Sequence, residues 1–372
     1  MTTVCHIIKA TRLSGAERHL LILLPALQQC GINVHLLLLV EANKPMDNMV
    51  AIAEASGVPV MRLVIRRGLD LSIVGKIRTA LKHINPNIVH THLIHADVFG
   101  LMAAGQRPVI TTRHNDDTFR TRRLIRWVNR WNWRGVKAGI AISEALGTFV
   151  RDTEHAPMSK VRVIHYGIRH QSTTSQDIEQ ARHDLRAELN LPDDALLLGI
   201  LSRLTEQKGI PYVLEAFKPI AAEFPNAMLV IAGAGELEEA LKARVQSLNL
   251  GARVLFLGWR EDAQAVLRGL DVFLMPSLWE GFGLTLLEAM GARLPVIASH
   301  VSAIPEIVVH GETGYLVAPR DPEAIEYALR LLLPDRLLRQ HLGLNGEDRV
   351  ESAFGVGTMA EKTMGVYGEV MS

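Results

Sequence analysis

The stretch Asp271-Val272-Phe273-Leu274-Met275-Pro276, followed by Glu280-Gly281-Phe282-Gly283-Leu284-Thr285-Leu286-Leu287-Glu288, indicates an open α/β fold. The first segment is an apolar run typical of a buried parallel strand, whereas residues 284–290 have helical spacing. The turn between them therefore lies at the carboxyl end of a strand. Ligands of open α/β sheets bind at this edge, where the N–H groups that begin the next helix point toward an anion.

Two glutamates flank this glycine-rich turn, eight residues apart. Gly281 and Gly283 let a ligand approach the backbone closely. Glu280 precedes the helix and can accept hydroxyl protons from a sugar, while Glu288 projects from the second helical turn. A solvated helix with two surface glutamates would show the same spacing. The spacing alone therefore leaves both interpretations open.

A second segment carries two cations after a hydrophobic strand. It reads Leu196-Leu197-Leu198-Gly199-Ile200-Leu201-Ser202-Arg203-Leu204-Thr205-Glu206-Gln207-Lys208-Gly209. Arg203 and Lys208 are placed in the loop, where they can clamp a diphosphate. The two segments together favour a nucleotide-sugar site.

The combination of this loop with the E-x7-E turn resembles the retaining glycosyltransferases of family 4, the glycogen-synthase-like group with the GT-B fold. The resemblance covers nearly the whole chain. Further matching segments are Ser14-Gly15-Ala16-Glu17, Ile88-Val89-His90-Thr91-His92, Thr111-Thr112-Arg113-His114, Ala141-Ile142-Ser143-Glu144, Ile231-Ala232-Gly233-Ala234-Gly235-Glu236, Phe256-Leu257-Gly258-Trp259, Pro295-Val296-Ile297-Ala298, Pro305-Glu306-Ile307-Val308 and Gly314-Tyr315-Leu316-Val317.

The resemblance implies a metal-independent hexosyltransferase that moves a sugar, with retained configuration, from a nucleotide diphosphate sugar to an acceptor hydroxyl. Its catalytic residues would be His114, Arg203, Lys208 and Glu280. Its donor-binding residues would be Gly15, Arg203, Lys208, Glu280, Gly281, Phe282, Gly283, Leu284, Thr285 and Glu288. In these roles Arg203 and Lys208 stabilise the leaving diphosphate, Glu280 holds the donor sugar, Glu288 the ribose, and His114 lies near the transferred sugar. No metal or other cofactor is expected.

Two segments depart from the family pattern. Relatives usually have an Asn-Gly pair followed shortly by Asp where this chain has His165-Tyr166-Gly167-Ile168-Arg169. Ser302-Ala303 stands where relatives often have two glycines, so we expect the backbone there to be less free to approach a ligand. Neither departure removes a charged donor contact.

Length and charge predict two domains. At about 150 residues per domain, 372 residues suggest two. Residues 1–171 contain 23 basic and 11 acidic residues, whereas the remainder contains 17 and 28. We expect an N-terminal acceptor-binding domain over residues 1–170 and a C-terminal donor-binding domain over residues 171–352. A linker is expected near residues 170–182, and the helix of residues 353–372 is expected to pack back on the first domain.

Strands alternate with helical segments in both halves, which predicts two doubly wound Rossmann-like domains facing across a cleft. The expected strands are Val4 to Lys9, Val34 to Leu39, Val58 to Leu63, Ile88 to His92, Val109 to Arg113, Ala138 to Ile142, Leu196 to Leu201, Met228 to Ala232, Val254 to Leu257, Val272 to Met275 and Val296 to Ala298.

One segment combines arginines with three of the five tryptophans. Residues 118–137 contain seven basic and no acidic residues. On a helix, Leu124, Trp127, Val128 and Trp131 would share one face beside an arginine stripe. This face would either lie on an anionic membrane or pack on its own domain, leaving the arginines to solvent or an anionic acceptor. The expected acceptor or membrane residues are Arg120, Arg123, Arg126, Trp127, Arg130 and Trp131.

Several classes of protein and site are disfavoured. His90, His92 and His95 lack an accompanying Asp-x-Asp and are not assigned to a metal, and Cys5 and Cys30 are expected to be buried thiols. Gly233-Ala234-Gly235 lacks the third glycine of a dinucleotide-binding fingerprint, which disfavours a dehydrogenase. No apolar run reaches the roughly 18 residues needed to cross a bilayer.

We therefore expect a cytoplasmic enzyme, peripheral on the inner face of the membrane, with no nucleic-acid partner. Its expected donor is a UDP-sugar. Its expected acceptor is a cell-envelope molecule such as a lipid-linked saccharide, lipopolysaccharide or polysaccharide precursor. The alternatives are a sugar-nucleotide epimerase of related fold, which would need no acceptor, and a non-catalytic glycan- or membrane-binding module.

Overall fold

The chain divides into two compact units. A computed structural model describes residues 1–66, 70–115, 123–170 and 174–372. The first unit comprises Met1–Arg169 and Phe354–Ser372, and the second comprises His170–Ala353. This division falls one residue before the expected boundary.

The first unit is built on a seven-stranded parallel sheet in the order β3-β2-β1-β4-β5-β6-β7. The strands are Thr3–Lys9 (β1), Asn33–Glu41 (β2), Val60–Ile65 (β3), Ile88–His92 (β4), Val109–Arg113 (β5), Ala138–Ala141 (β6) and Val161–Val163 (β7). Its helices are Gly15–Gln29 (α1), Asp47–Ala55 (α2), Ser72–Ile84 (α3), Leu93–Ala103 (α4), Arg123–Gly135 (α5), Glu144–Glu154 (α6) and Val356–Met371 (α15). The chain order reverses between β1 and β4.

Helices cover both faces of this sheet. Leu20 and Leu24 of α1 pack in one core with Met359 and Tyr367 of α15. The C-terminal helix therefore completes the core of the first unit.

A charged network lies on the opposite face. The guanidinium of Arg113 forms ion pairs with Asp97 of α4 and with Glu154 of α6, the latter at 3.0 Å, and all three side chains are buried. Thr91 and Thr111 also donate hydrogen bonds to Asp97, at 2.7 and 2.6 Å. Burial opposes ionisation of Arg113, but the two carboxylates outweigh it and raise its pKa. The network therefore fixes the ends of β4 and β5 to both helices.

The second unit is built on a six-stranded parallel sheet in the order β10-β9-β8-β11-β12-β13. The strands are Leu196–Leu201 (β8), Ala227–Ala232 (β9), Val254–Gly258 (β10), Val272–Met275 (β11), Val296–Ser299 (β12) and Gly314–Val317 (β13). Its helices are Ser175–Glu188 (α7), Ile210–Glu223 (α8), Glu238–Ser247 (α9), Ala263–Gly269 (α10), Leu284–Gly291 (α11), Ile304–Ile307 (α12), Pro322–Leu332 (α13) and Arg336–Ala353 (α14). Here the order reverses between β8 and β11.

Several expectations need correction. Residues 175–188 form α7, so most of the expected linker is helical, and the Thr174 capping box explains why that helix begins there. Cys5 is buried, but Cys30 is exposed because it caps the end of α1. In the described part of the chain, no helix is long and apolar enough to span a bilayer.

Candidate functional site

Two loops of the second unit meet where the strand order reverses. Strands β8 and β11 are adjacent in the sheet, so the loops that follow them leave the same edge side by side. The Leu278 N–H donates a 2.7 Å hydrogen bond to the Gln207 carbonyl and joins the loops directly. The reversal point of an open α/β sheet is where such folds bind ligands.

An ion pair connects the two loops at this point. The ammonium of Lys208 donates to a carboxylate oxygen of Glu280 at 2.6 Å, and both side chains retain about an eighth of their exposure (12% and 13%). Arg203 is exposed and donates to Gln207 at 3.1 Å, and Gln207 in turn donates to the Trp279 carbonyl at 2.9 Å. The sequence-predicted Arg203, Lys208 and Glu280 therefore lie in one hydrogen-bonded pair of loops.

Gly209 makes this close approach possible. Its φ is +61°, and a Cβ at this position would lie 2.0 Å from the Pro276 carbonyl oxygen. Any side chain would therefore separate the loop after β8 from the loop after β11.

The helix after the second loop begins at a glycine. Gly283 is the N-cap of α11 with φ +111°, and Leu284 and Thr285 are the first helical residues. Their N–H groups have no partner within the helix, and the helix dipole favours an anion beside them. Phe282, also predicted to bind the donor, is only 3% exposed, so its side chain lies in the interior beside this turn.

Ser302 supports Glu280 from a third loop. The N–H of Glu280 donates to the Ser302 hydroxyl at 3.2 Å, and Ser302 has a φ of +48°. The position thus has the left-handed backbone that favours the glycine seen in relatives. The serine hydroxyl at this position is hydrogen-bonded to Glu280, which the sequence analysis predicted to be a site residue.

One polar group beside the site escaped the sequence analysis. The Ser277 side chain is fully buried, and its hydroxyl has no hydrogen-bond partner in the described residues. Ser277, Ser202 and Lys208 line the same small cavity. A serine in an apolar strand end carries no recognisable motif, so no sequence signal could have identified it. Glu288 lies on α11 and is partly buried.

The first unit brings four histidines to one face of its sheet. Parallel register places His6 beside His90, and His92 follows two residues later on the same strand. His114 comes directly after β5 and is 6% exposed. Its Nε2 lies 2.9 Å from Nδ1 of His92, and its Nδ1 is hydrogen-bonded to the Tyr166 hydroxyl. Tyr166, the departure from the family pattern, therefore contacts the histidine that the sequence predicted to be catalytic.

The loop after β1 is held by its own polar groups. Ser14 precedes α1, and its hydroxyl donates to the Glu17 carboxylate at 2.5 Å. Gly15 is the first helical residue, and a Cβ there would meet nothing within 4 Å. The backbone of Gly15 is therefore open to approach.

Comparison with known proteins identifies the family. The model of the family described as Glycosyltransferase Family 4 matches residues 13–172, and the model described as Glycosyl transferases group 1 matches residues 181–349. The lipopolysaccharide core biosynthesis mannosyltransferase LpcC of Rhizobium leguminosarum is 32% identical over 247 residues, which cover 65% of this chain and 67% of that protein. This chain belongs to glycosyltransferase family 4.

Two other proteins extend the comparison. The UDP-Gal:alpha-D-GlcNAc-diphosphoundecaprenol alpha-1,3-galactosyltransferase of Escherichia coli is 28% identical over 316 residues, which cover 80% of this chain and 79% of that protein. The structure of Anabaena HepE in complex with UDP has a TM-score of 0.85 at 20% identity, and covers 99% of this chain and 100% of its own. The two sheets thus match the GT-B glycosyltransferase fold.

Helix α5 of this family 4 glycosyltransferase exposes the two tryptophans that the sequence placed on one face. Trp127 and Trp131 are 69% and 40% exposed, whereas Asn129, Asn132 and Trp133 are buried. The exposure of Trp127 and Trp131 disfavours packing of the expected stripe on its own domain, which was one of its two interpretations. The side chain of Leu124, which belongs to the same stripe, lies outside the described residues. Trp133 packs inward instead, and its indole N–H donates to Glu154 at 2.8 Å.

The exposed face of α5 combines arginine with tryptophan. It carries Arg126, Trp127, Arg130, Trp131 and Arg134. Of the other residues predicted for this surface, Arg120 lies outside the described residues. Arg123 begins the helix, and its side chain also lies outside the described part.

Among the described residues, two groups of side chains have their potential metal-ligand atoms within 4.8 Å of one another. One consists of His6, His90 and His92, and the other of His170, Glu347 and Glu351. In the second group Glu347 is also ion-paired with Arg293, which competes with any cation. His95, considered in the sequence, is not a member of either group.

Proposed function

We propose that this glycosyltransferase moves a hexose from a UDP-sugar to a hydroxyl of a cell-envelope acceptor, with retention of configuration. The observation that carries the proposal is the Lys208–Glu280 pair, which lies where the strand order of the second sheet reverses. The pair supports the proposal because it joins a cation to the carboxylate that we expect to bind the sugar, in the loop that leads into α11.

The charges of this site suit a leaving diphosphate. As the glycosidic bond breaks, negative charge grows on the nucleotide, and preorganised donors stabilise it. We assign this role to Lys208, Arg203 and the N–H groups of residues 283–285. Lysine has three N–H donors, so Lys208 can retain Glu280 and still bind a phosphate oxygen.

The remaining roles follow the family resemblance. Glu280 would hold donor hydroxyls, Glu288 the ribose and Gly15 the phosphates or acceptor. His114 of the first unit would contact the transferred sugar. Proton transfer would go from the acceptor hydroxyl to the leaving phosphate on one face of the sugar, so Glu280 is not assigned as a covalent nucleophile.

The names of related proteins support the donor and acceptor classes. HepE was solved with UDP, the Escherichia coli relative uses UDP-Gal and a diphosphoundecaprenol-linked sugar, and LpcC acts in lipopolysaccharide core biosynthesis. We therefore propose a UDP-sugar donor and a lipid-linked saccharide, lipopolysaccharide or polysaccharide precursor as acceptor.

We further propose that the exposed face of α5 binds the anionic inner surface of the cytoplasmic membrane. Its tryptophans would lie at headgroup depth and its arginines on lipid phosphates. Cosedimentation with anionic vesicles at low salt should be lost in a Trp127→Ser/Trp131→Ser variant and retained in Trp259→Ser, which alters an exposed tryptophan (66%) of the second unit. Equal binding of all three proteins, or binding to neutral vesicles, would refute membrane contact through α5.

Acceptor-dependent turnover tests the proposed reaction. UDP release from a UDP-sugar should require a saccharide acceptor, persist in excess EDTA and give a product with the anomeric configuration of the donor. Epimerisation of the donor without acceptor would favour the epimerase. Absence of both reactions would favour a non-catalytic module, and inverted configuration would refute retention.

A further inference from the structure

A continuous row of hydrogen-bonded side chains crosses the sheet of the first unit. Tyr367 Oη lies 3.2 Å from Nε2 of His6, and Nδ1 of His6 lies 3.0 Å from Nε2 of His92. Nδ1 of His92 lies 2.9 Å from Nε2 of His114, whose Nδ1 bonds to the Tyr166 hydroxyl. The row therefore joins α15 to His114 through β1 and β4.

The imidazoles are arranged end to end. The ring centroids of His6 and His92 are 5.2 Å apart, with an angle of 12° between the ring planes. The centroids of His92 and His114 are also 5.2 Å apart. In each pair the distance between the ring centroids exceeds the distance between the two facing nitrogens by about the width of one ring. The two nitrogens therefore point at one another. A metal ligand set would instead direct its lone pairs to a common point. This geometry is that of N–H···N hydrogen bonds.

His6 and His92 are neutral at physiological pH. Burial lowers the pKa of His6 to about 3, and burial likewise lowers the pKa of His92 well below 6.5. A neutral imidazole has one N–H donor and one acceptor nitrogen. The hydrogen bonds that His6 and His92 make must therefore all run in the same direction along the row.

The direction determines one tautomer for all members of the row. Every histidine–histidine contact joins Nδ1 of one ring to Nε2 of the next. If Tyr166 donates to His114, then His114, His92 and His6 all carry the proton on Nε2. If His92 instead donates to His114, all three carry it on Nδ1.

His90 closes the far end of the row. Tyr367 Oη is 2.8 Å from Nδ1 of His90, and Nε2 of His90 is 2.7 Å from the Thr112 hydroxyl. Tyr367 has one O–H, so it donates to one of its two histidines and accepts from the other. His90 thus has the same tautomer as the rest.

We propose that Tyr367, His6 and His92 are positioning residues, which fix the nitrogen of His114 that carries the proton. The value of this arrangement for sugar transfer depends on the proposed function, in which His114 contacts the sugar. The shared tautomer itself depends only on the hydrogen bonds.

Nitrogen NMR of the full chain labelled with 15N-histidine tests the proposal, with resonances assigned by His→Gln substitutions. His6, His92 and His114 should show the same single tautomer. Tyr367→Phe removes the hydroxyl that ends the row, so it should shift the tautomer populations of His114. Tyr327→Phe, an exposed tyrosine (67%) of α13, should leave them unchanged. A wild-type mixture of Nδ1-H and Nε2-H among these rings would overturn the proposal.

An unchanged His114 spectrum in folded Tyr367→Phe would overturn the positioning role, with folding checked by the melting temperature. If this spectrum shifts as expected, kcat should also fall several-fold in Tyr367→Phe with little change in the donor KM. A shifted spectrum with unchanged kcat would refute the role in sugar transfer. A wild-type chain with no transferase activity would refute the proposed function alone, because the NMR result does not depend on turnover.

Discussion

The ammonium of Lys208 lies 2.6 Å from a carboxylate oxygen of Glu280, although 72 residues separate them in the sequence. The contact joins the loop after β8 to the loop after β11. Since both loops leave the sheet where its strand order reverses, the contact links the cation expected to bind the diphosphate to the carboxylate expected to bind the sugar.

Glu280→Gln should separate sugar transfer from nucleotide binding. The amide keeps the shape of the side chain but removes the charge that pairs with Lys208. Loss of a charged hydrogen bond to the donor sugar costs about 1.5–3 kcal/mol, so kcat/KM should fall roughly 10- to 100-fold. UDP alone should bind at least as tightly, because Lys208 is no longer neutralised. Steady-state kinetics and calorimetry measure the two effects.

The control for this variant is Glu239→Gln, which alters an exposed glutamate of α9 whose carboxylate pairs with Lys242. This control substitution should change neither kcat/KM nor the affinity for UDP. Weaker UDP binding in Glu280→Gln, in parallel with the loss of turnover, would show that Glu280 does not act on the sugar alone.

Gly209→Ala should be more harmful than Gly258→Ala. Both glycines have nearly the same backbone, with φ of +61° and +65°. A Cβ at Gly209 would meet the Pro276 carbonyl at 2.0 Å, whereas one at Gly258 would meet nothing within 4 Å. We expect Gly209→Ala to lower the free energy of unfolding by about 1–3 kcal/mol more than Gly258→Ala does, because the added methyl overpacks the contact between the loops. Urea denaturation compares the variants, and equal losses would contradict the close contact of the two loops.

Arg113→Met should strongly destabilise the first unit. The substitution leaves the carboxylates of Asp97 and Glu154 buried without their cation. Breaking a buried ion pair in this way costs about 3–5 kcal/mol. Arg151→Met, which removes an exposed pair with Asp152, should have no measurable effect on denaturant unfolding. A similar result for both variants would mean that the buried network contributes little.

The stability of the chain should decrease with acidification below pH 6.5. Burial lowers the pKa of both His6 and His19 from 6.5 to about 3, and it lowers the pKa values of His90 and His92 well below 6.5. Between pH 6.5 and 3 the unfolded chain binds protons that the folded chain does not. The free energy of unfolding should therefore be retained above pH 6.5 and fall by about 1.4 kcal/mol per pH unit for each histidine as the pH decreases.

Urea titrations between pH 7.5 and 5 measure this slope. His6→Gln removes one titrating group and should make the slope shallower. A wild-type slope near zero would show that these histidines are already protonated in the folded chain.

The sequence predicted most of the strands of the described residues and the loops that carry Lys208 and Glu280. Ile88–His92, Val109–Arg113, Leu196–Leu201 and Val272–Met275 have the predicted bounds, because buried parallel strands are continuous apolar or β-branched runs between clear breaks. The pairing of Lys208 with Glu280 could be anticipated from the same reasoning, since both follow adjacent strands. Strands β7 and β13 were missed, and the three residues of β7 are too few to show a pattern.

Contacts between distant elements could not be read from local patterns. The row from Tyr367 to His114 depends on the register of β1 against β4 and on where α15 packs, and His6 and Tyr367 are 361 residues apart. The orientation of α5 was set by Trp133 and its bond to Glu154. The helical period of the sequence predicts which side chains share a face of the helix. It does not predict which face packs against a buried hydrogen-bond acceptor such as Glu154.

Melting temperatures with added nucleotides test the central claim most directly, because a ligand that binds only the folded chain raises the melting temperature. Differential scanning fluorimetry would measure the melting temperature with UDP, GDP, ADP and their hexose conjugates. The proteins compared are wild type, Lys208→Met and the control Lys242→Met, which alters a lysine of α9. We predict that UDP and its conjugates raise the melting temperature of wild type and Lys242→Met, and that Lys208→Met loses this rise. No rise with any nucleotide, or an equal rise in Lys208→Met, would contradict a nucleotide-sugar site at Lys208 and Glu280.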